Sequence, residues 1–350
     1  MPPRSRHLLF LLLVLLAALA RAAVSHGGAE EEEAAACAAA NRTGGAAPLR
    51  PDRLTVLVSG YSERRLPLLR AVAAAYAAHP LVLAVVVLWC NPSTPDRLLR
   101  RGGVGVGFPP RVKLRRAASP SLNSRFLPHP SDIRTAAVAV ADDDVLPDAF
   151  ALSFAFAAWQ QHQQQPAAAG SPATGPLVGF FPRSHHLDLT RGRWAYTAAE
   201  PGRYSMVLTK FMVLGADLLY RYSCSPELAA ARAVVDRERN CEDILMNFVA
   251  AEESGAGPVL VEAGGIRDWG DPRNDANAGG GGEDGGAMRD VGLSATGGLG
   301  HWEKRGECIT EFHQILGRMP LRYSYGKVAE ATVGEQGLCS KGGRLVRCDE

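Results

Sequence analysis

The sequence lacks a dominant charge. Its 38 Lys and Arg stand against 36 Asp and Glu, a net +2, so no global field draws it toward nucleic acid or an anionic membrane. Its basic residues are scattered, with no aromatic-studded basic stripe, which argues against a nucleic-acid binder. Seven cysteines include no C-x-x-C pair, and that spacing is what the usual zinc sites need. G-x-S-x-G is missing, which leaves serine-hydrolase chemistry without a nucleophile elbow. No internal repeat is visible, so the chain is not a solenoid. The apolar run from Leu8 to Ala20 is short of the roughly 20 residues of a bilayer span.

What is present is ordered along the chain. Arg4 and Arg6 precede that apolar run, and small residues follow it. This is the pattern of a secretory signal, or of a short type II anchor, over residues 1–24. Either form sends the body of the chain into the secretory lumen. N-R-T at Asn41 is a glycosylation acceptor, meaningful only there. In that compartment cysteines are disulfide material. Their odd number leaves at least one unpaired, and Cys37 is the candidate. Residues 25–52 are rich in Ala, Gly and Glu, with four glutamates at Glu30 to Glu33. That composition predicts a disordered stem.

The body, residues 53–326, begins with apolar Leu54 to Val58, helix-like Leu66 to His79 and apolar Leu81 to Trp89. Strand, helix and strand in close succession make a βαβ unit and favour a parallel sheet in an α/β fold. The apolar runs are continuous, not alternating, so both sheet faces are buried. Further strands are expected at Arg111–Leu114, Ala136–Ala141, Pro176–Phe181, Tyr204–Leu208 and Pro258–Glu262, and a helix at Asp148–Gln164. In that helix Leu152, Phe156 and Trp159 share one face and read as core. The Gly-rich stretch from about 270 to 300 is expected to be a mobile loop. Residues 327–350 read as a peripheral polar tail.

The run "AVAVADDDV" ends in Asp142, Asp143 and Asp144. Three adjacent carboxylates repel one another, and packing gains nothing from them. Parallel α/β sheets gather ligands at the carboxyl ends of their strands. A hard divalent cation there would relieve the repulsion and would share its sphere with substrate phosphates. Alternation along a strand turns Asp142 and Asp144 toward one ligand and Asp143 away. The plainer alternative is a solvated turn in which Asp144 or Asp148 caps the next helix.

Several stretches, in this order, resemble glycosyltransferase family 64, the exostosin-like glycosyltransferases, and most closely its short plant members. They are "VVVLWCNP" from Val85, "SLNSRFLP" from Ser121, "AVADDDV" from Ala139, "VGFFPRSH" from Val178, "YSMVLTKF" from Tyr204, "NCEDILMNFVA" from Asn240 and "KRGECITEFHQILGRMPLRYS" from Lys304. The resemblance implies a GT-A fold: a Rossmann-like, mostly parallel sheet flanked by helices, with an acceptor half attached. It implies a Mn²⁺-dependent, configuration-retaining transfer of a hexose or N-acetylhexosamine. The donor would be GDP-mannose or a UDP-N-acetylhexosamine. The acceptor would be a glycan or a glycolipid such as glycosyl inositol phosphorylceramide, in the Golgi.

Carried over to this chain, Asp144 would be the direct metal ligand, with Asp142 helping near the ribose. Asn91, Arg125, Asp142, Asp143 and Glu242 form the candidate substrate-binding set. Asp243 would lie beside the transferred sugar. Arg305 would meet the diphosphate, where a fixed cation stabilises the charge growing on the leaving group. Cys241 and Cys308 match a family disulfide, which leaves the pairing of Cys90, Cys224, Cys339 and Cys348 open. In "NCED", Asn240 is independently suited to cap a helix, with Glu242 and Asp243 at its positive end.

Three departures from the family pattern bear on the donor and acceptor. Pro120 stands for an asparagine, Lys210 and Phe211 for small residues, and Glu63 for a basic residue, a role Arg64 is placed to take over. Pro120 and Lys210 favour the alternative of a catalytically inactive luminal scaffold that binds sugar nucleotide or glycan. A phosphohydrolase would need a second metal cluster or an activated nucleophile, and neither is seen. His185 and His186, adjacent in sequence, make a poor chelate. Trp194 and Trp269 suit either packing or sugar stacking. Cys90 reads as a buried thiol or half a disulfide, not a nucleophile.

Overall fold

Runs of Val, Ala and Leu with no polar alternation have no face to offer water, and they build a sheet covered on both sides. The computed structural model describes residues 28–42, 48–100, 108–163, 174–270, 298–329, 338–341 and 344–347. Helix α1 covers residues 28–42. Strand β1 (Arg50–Gly60), α2 (Leu66–Ala78) and β2 (Val82–Trp89) form the expected βαβ unit, continued by the short α3 (Asp96–Arg100) and β3 (Val112–Arg116). Then come β4 (Thr135–Asp142), β5 (Val145–Pro147), α4 (Ala149–Gln163), β6 (Val178–Gly179), β7 (Pro182–Asp188), β8 (Arg193–Ala198), β9 (Met206–Val207) and β10 (Phe211–Gly215). Helices α5 (Ala216–Cys224), α6 (Ala229–Glu238) and α7 (Glu242–Ser254) precede β11 (Val259–Glu262) and β12 (Ile266–Asp268). Helix α8 (Gly298–Leu316), β13 (Lys327–Ala329) and the hairpin β14 (Leu338–Lys341) with β15 (Arg344–Arg347) complete the described chain.

The main sheet has eight strands in the order β13-β11-β6-β10-β4-β1-β2-β3. Its pairs are parallel except where β10 lies antiparallel between β4 and β6. This is the mostly parallel, helix-flanked α/β architecture of the GT-A type. From β1 the chain steps to β2 and β3 on one side, then returns to β4 on the other. The carboxyl ends of β1 and β4 therefore flank a switch point, where open α/β sheets bind ligands. Ser59 of β1 pairs with Asp142 of β4 at that place.

Strand β4 shows how sequence sets the layers. Its residues alternate faces. Ala137, Ala139 and Ala141 meet the core under α2 and α4, beside Tyr76, Trp89 and Phe156. Val138 and Val140 meet the opposite core, with Tyr222 and Phe248 of α5 and α7. Small residues on one face make room for large aromatics there. Gly60 has the same role at the end of β1: a Cβ would fall 2.7 Å from a Leu69 methyl and 3.2 Å from the Trp89 ring. Trp89 is fully buried. Trp89→Ala should therefore cost about 3–5 kcal/mol, seen as a lower urea midpoint at an unchanged m-value.

Several expectations are corrected. The stem expected to be disordered over 25–52 forms helix α1 within it, and β1 begins at Arg50. Alanine and glutamate are good helix formers, and this helix is docked, since Cys37 is disulfide-bonded to Cys224 at the end of α5. Cys37 is thus not a free thiol, whereas buried Cys90 is one. Burial pushes its thiol up to about 11, as befits an inert core cysteine. The tail is not wholly peripheral: β13 pairs with β11 at the edge of the main sheet. Strand β10, not singled out in the sequence, is completely buried, so Phe211 is core and does not face an acceptor. Of Tyr204–Leu208 only Met206 and Val207 are strand. Residues 271–297, most of the expected loop, lie outside the described residues, as do Leu8 to Ala20 and Cys348. No described helix is long and apolar enough to cross a membrane.

Candidate active site

Strand β4 ends at Asp142, and the chain turns at once through Asp143 and Asp144. Strand alternation stops there, so the expected pairing of Asp142 with Asp144 does not form. Instead the Arg65 guanidinium, just ahead of α2, meets Asp143 Oδ1 at 2.9 Å and Asp144 Oδ2 at 2.5 Å. Asp142 faces the other way, 3.3 Å from Arg125. Arg125 also reaches Glu242 at 3.1 Å. One buried arginine therefore joins the β4 carboxylates to the start of α7.

Helix α7 enters through two strained residues. Arg239 (φ 49°) and Cys241 (φ 76°) are left-handed, a conformation that costs a non-glycine residue energy and collects at functional sites. Asn240 does not cap the helix as expected. Its Oδ1 accepts the Cys241 N–H and an Arg305 N–H, each at 2.8 Å, and the N-cap position falls to Cys241. This sharp entry aims Glu242 and Asp243 inward, and both are buried. Arg305, from α8, donates to Asp243 Oδ2 at 2.5 Å and lies over the Tyr196 ring, 4.4 Å from its centroid. The expected Cys241–Cys308 disulfide is present. It sits one helical turn from Arg305 and ties α8 to the mouth of α7.

The charges alternate along the site: Arg65, the Asp triplet, Arg125, Glu242 and Asp243, then Arg305. Burial is the main reason that the Asp142 carboxyl rises to about 6, with Asp144 and Glu242 adding repulsion against the pull of Arg125. Burial likewise lifts Asp143 to about 7, with Asp144 and Asp142 adding to it and Arg65 opposing. Glu242 is raised by burial, and Arg125 opposes that too. Burial alone would lower both arginines, yet Glu242 and Asp142 hold Arg125 above its ordinary value and Asp243 does so for Arg305. Among the described residues Arg125 Nε and Arg305 Nε are buried without a hydrogen-bond partner, which suits two arginines facing an anionic ligand.

A second layer supports the triplet. Trp269 N–H donates to the Asp144 carbonyl at 2.9 Å, and a Cβ on Gly270 would fall 2.3 Å from Asp144 Oδ2. Lys210 pairs with Asp268 at 2.5 Å, and its carbonyl accepts the Asp142 N–H at 3.3 Å. Lys210 thus braces the strand laid over the triplet. Glu63 and Arg64 are exposed, so Arg65 and not Arg64 takes the basic role. Asp148, not Asp144, caps α4 by accepting the Ala151 N–H at 2.8 Å.

Asn91, at the end of β2, donates to the Tyr61 carbonyl at 3.3 Å and accepts from Ser93. His185 and His186 take opposite faces of β7. His185 is buried against Ser205 and Tyr323, and burial lowers it to about 4. Trp194 donates to His313 at 2.8 Å, a packing role, while Trp269 is exposed. Asn41, at the end of α1, is exposed, and its Oδ1 accepts the Tyr220 hydroxyl at 2.7 Å. Arg65, Tyr196 and the Lys210–Asp268 brace were not legible as site residues.

Every side-chain donor of the triplet is a carboxylate oxygen, which fits a hard divalent cation. Among the described residues no three His, Cys, Asp or Glu form a ready-made cage. The carboxylates diverge toward Arg65 and Arg125, so an ion bound here would need substrate phosphates to complete its sphere.

The glycosyl transferase family 64 domain matches residues 54–333 of the chain. The chain is 47% identical over 307 residues to glycosyltransferase family protein 64 C3 of Arabidopsis thaliana, covering 86% of this chain and 87% of that one. It is 27% identical over 299 residues to glycosylinositol phosphorylceramide mannosyl transferase 1 of the same plant, covering 80% and 79%. To human exostosin-like 2 it is 29% identical over 288 residues, covering 78% and 76%.

Proposed function

The chain belongs to glycosyltransferase family 64, and from that premise we propose a Mn²⁺-dependent, configuration-retaining transfer of a hexose or N-acetylhexosamine from a nucleotide-sugar. The observation that carries this reading is Arg125. It links Asp142, at the end of β4 beside the β1/β4 switch point, to Glu242, the chain neighbour of the Asp243 that pairs with Arg305. One half suits a cation-bound pyrophosphate and the other suits the sugar leaving it.

In this reading Asp144 would be the direct ligand of Mn²⁺, with Asp142, turned toward Arg125, near the ribose; the ion would shield the diphosphate charge and ease its departure. Arg125 and Arg305 are the cations nearest the phosphates in this reading, and each keeps a buried Nε without a hydrogen-bond partner. As the bond between the anomeric carbon and the diphosphate oxygen breaks, Arg305 offsets the charge gained by that oxygen. Asp243 faces the positive charge developing on the sugar. The acceptor hydroxyl then bonds the same face of the anomeric carbon and passes its proton to the departing diphosphate oxygen. GDP-mannose is the first donor to test, because a relative of similar length is a mannosyl transferase acting on glycosylinositol phosphorylceramide; UDP-N-acetylhexosamine is the second. The acceptor is a glycolipid of that type or a glycan. The place is the Golgi lumen, with residues 1–24 as signal or type II anchor; the disulfides support an oxidising compartment.

The test is a donor panel given to the purified luminal chain, scored by release of free nucleotide. One donor should be turned over with Mn²⁺ and none after chelation. A chain that binds nucleotide but turns over no donor would be the inactive scaffold.

A further inference from the structure

Arg125 lies in the segment between β3 and β4, and that segment is gripped from behind by consecutive residues of α5. The Tyr222 hydroxyl donates to Asn123 Oδ1 at 2.5 Å, and the Ser223 hydroxyl donates to the Phe126 carbonyl at 2.9 Å. The Tyr222 and Phe126 rings pack with centroids 4.6 Å apart. The very next residue, Cys224, is bonded to Cys37 of α1.

Two glutamates of α1 reach the same place. Glu32 Oε2 accepts the Ala118 N–H at 2.8 Å. Glu33 pairs at 2.7 Å with Arg232 of α6, which is only 7% exposed. Arg232 donates to the carbonyls of Tyr222 at 2.9 Å and Ser225 at 3.1 Å, and its own carbonyl accepts from Asn123 Nδ2 at 3.0 Å. Glu33 thus neutralises a buried cation that clamps both the end of α5 and the Arg125 segment. Losing one partner of such a pair leaves a charge that must find water, and here that means disturbing the Tyr222 turn.

We propose that α1 is a strap for the donor site: Glu33 and the Cys37–Cys224 bond act through Arg232 and the last turn of α5 to hold Arg125 against Asp142 and Glu242. This rests on the reading of that site as one for a nucleotide-sugar. The α1 groups are positioning residues, acting only through others. A helix of this length is marginal alone, so the disulfide keeps it docked.

The test compares the wild-type chain with Glu33→Ala and with a Cys37→Ser/Cys224→Ser double variant. GDP and UDP are titrated with Mn²⁺ by calorimetry, and amide exchange is followed over residues 118–126. The variants should bind the diphosphate about tenfold more weakly, the scale of coupling through a packed network. Donor KM should rise in step with kcat nearly unchanged. Exchange over 118–126 should speed up while β1 and β4 stay protected. Glu33→Gln, which keeps the acceptor and loses the charge, should fall between. Variants that melt earlier yet bind the diphosphate as the wild type does would reduce α1 to a stabilising element and overturn the strap. A wild-type chain that binds neither nucleotide would overturn the transferase reading itself, and the strap's role at a donor site with it.

Discussion

Asp243→Asn is expected to cut turnover by about a hundred- to a thousandfold, the usual scale for losing one electrostatic contact to developing charge, while the donor still binds. The substitution keeps the shape of the side chain and an oxygen to accept the Ile244 N–H, now at 2.8 Å. What it removes is the negative charge 2.5 Å from Arg305. Arg305 keeps the Asn240 oxygen at 2.8 Å and the Tyr196 ring face, so the cation stays near the phosphates. Binding made in the ground state should persist, and the loss should fall on kcat. Some stability is lost too, since neutralising one member of a buried pair can cost about 3–5 kcal/mol; the two remaining contacts and the Cys241–Cys308 bond hold the local fold. Single-turnover kinetics alongside calorimetry with Mn²⁺ and nucleoside diphosphate separate the two effects. Wild-type turnover in a folded Asp243→Asn chain would reject the catalytic assignment.

How far the sequence discloses this arrangement depends on the physics involved at each place. Strands β1, β2 and β4 were legible because burial on both faces demands an unbroken apolar run. The place of Asp142 followed from them, since a strand's end and the order of its neighbours define the crevice. Strand β10 was hidden. Its five residues follow Lys210, and a short apolar run cannot be told from a loop anchor without its partners β4 and β6. The orientation of the triplet was misread because alternation was carried past Asp142, where the backbone has already turned. Arg65 was missed for a related reason: which of two adjacent arginines points inward is set by the entry of α2, not by composition. Asn240 looked like a cap because its type is right; the left-handed Cys241 behind the disulfide displaced it. The stem looked disordered from its composition alone. What makes α1 ordered are single contacts to Cys224, Arg232 and Ala118, and local sequence carries no trace of them.

Asp144→Ala is expected to abolish turnover, by about a thousandfold or more, and yet leave the ion-free protein nearly as stable as before. The chain here is held by groups the substitution spares. The Trp269 N–H bonds the Asp144 carbonyl, and Arg65 keeps Asp143 at 2.9 Å. The lost ion pair is offset because Asp144 is also a source of repulsion on its neighbours, whose carboxyls stand at about 6 and about 7. Those raised values fix a sign. Where the folded state binds a proton more tightly than the unfolded chain, stability falls as pH rises from the unfolded value through the folded one. The contribution of Asp142 and Asp143 to the stability of the wild-type, ion-free chain should therefore decline between about pH 4 and pH 7, against the opposite contribution of His129 and His185, both lowered to about 4 by burial. In Asp144→Ala that decline should be shallower. Added Mn²⁺ and nucleoside diphosphate at a hundred times their dissociation constant should stabilise the wild type by about 2.7 kcal/mol, a gain of several degrees in Tm. Asp144→Ala should show none of it. Melting curves across pH, with and without the two ligands, check all three points. A ligand-induced shift surviving in Asp144→Ala would place the cation elsewhere and leave the triplet's repulsion without its explanation.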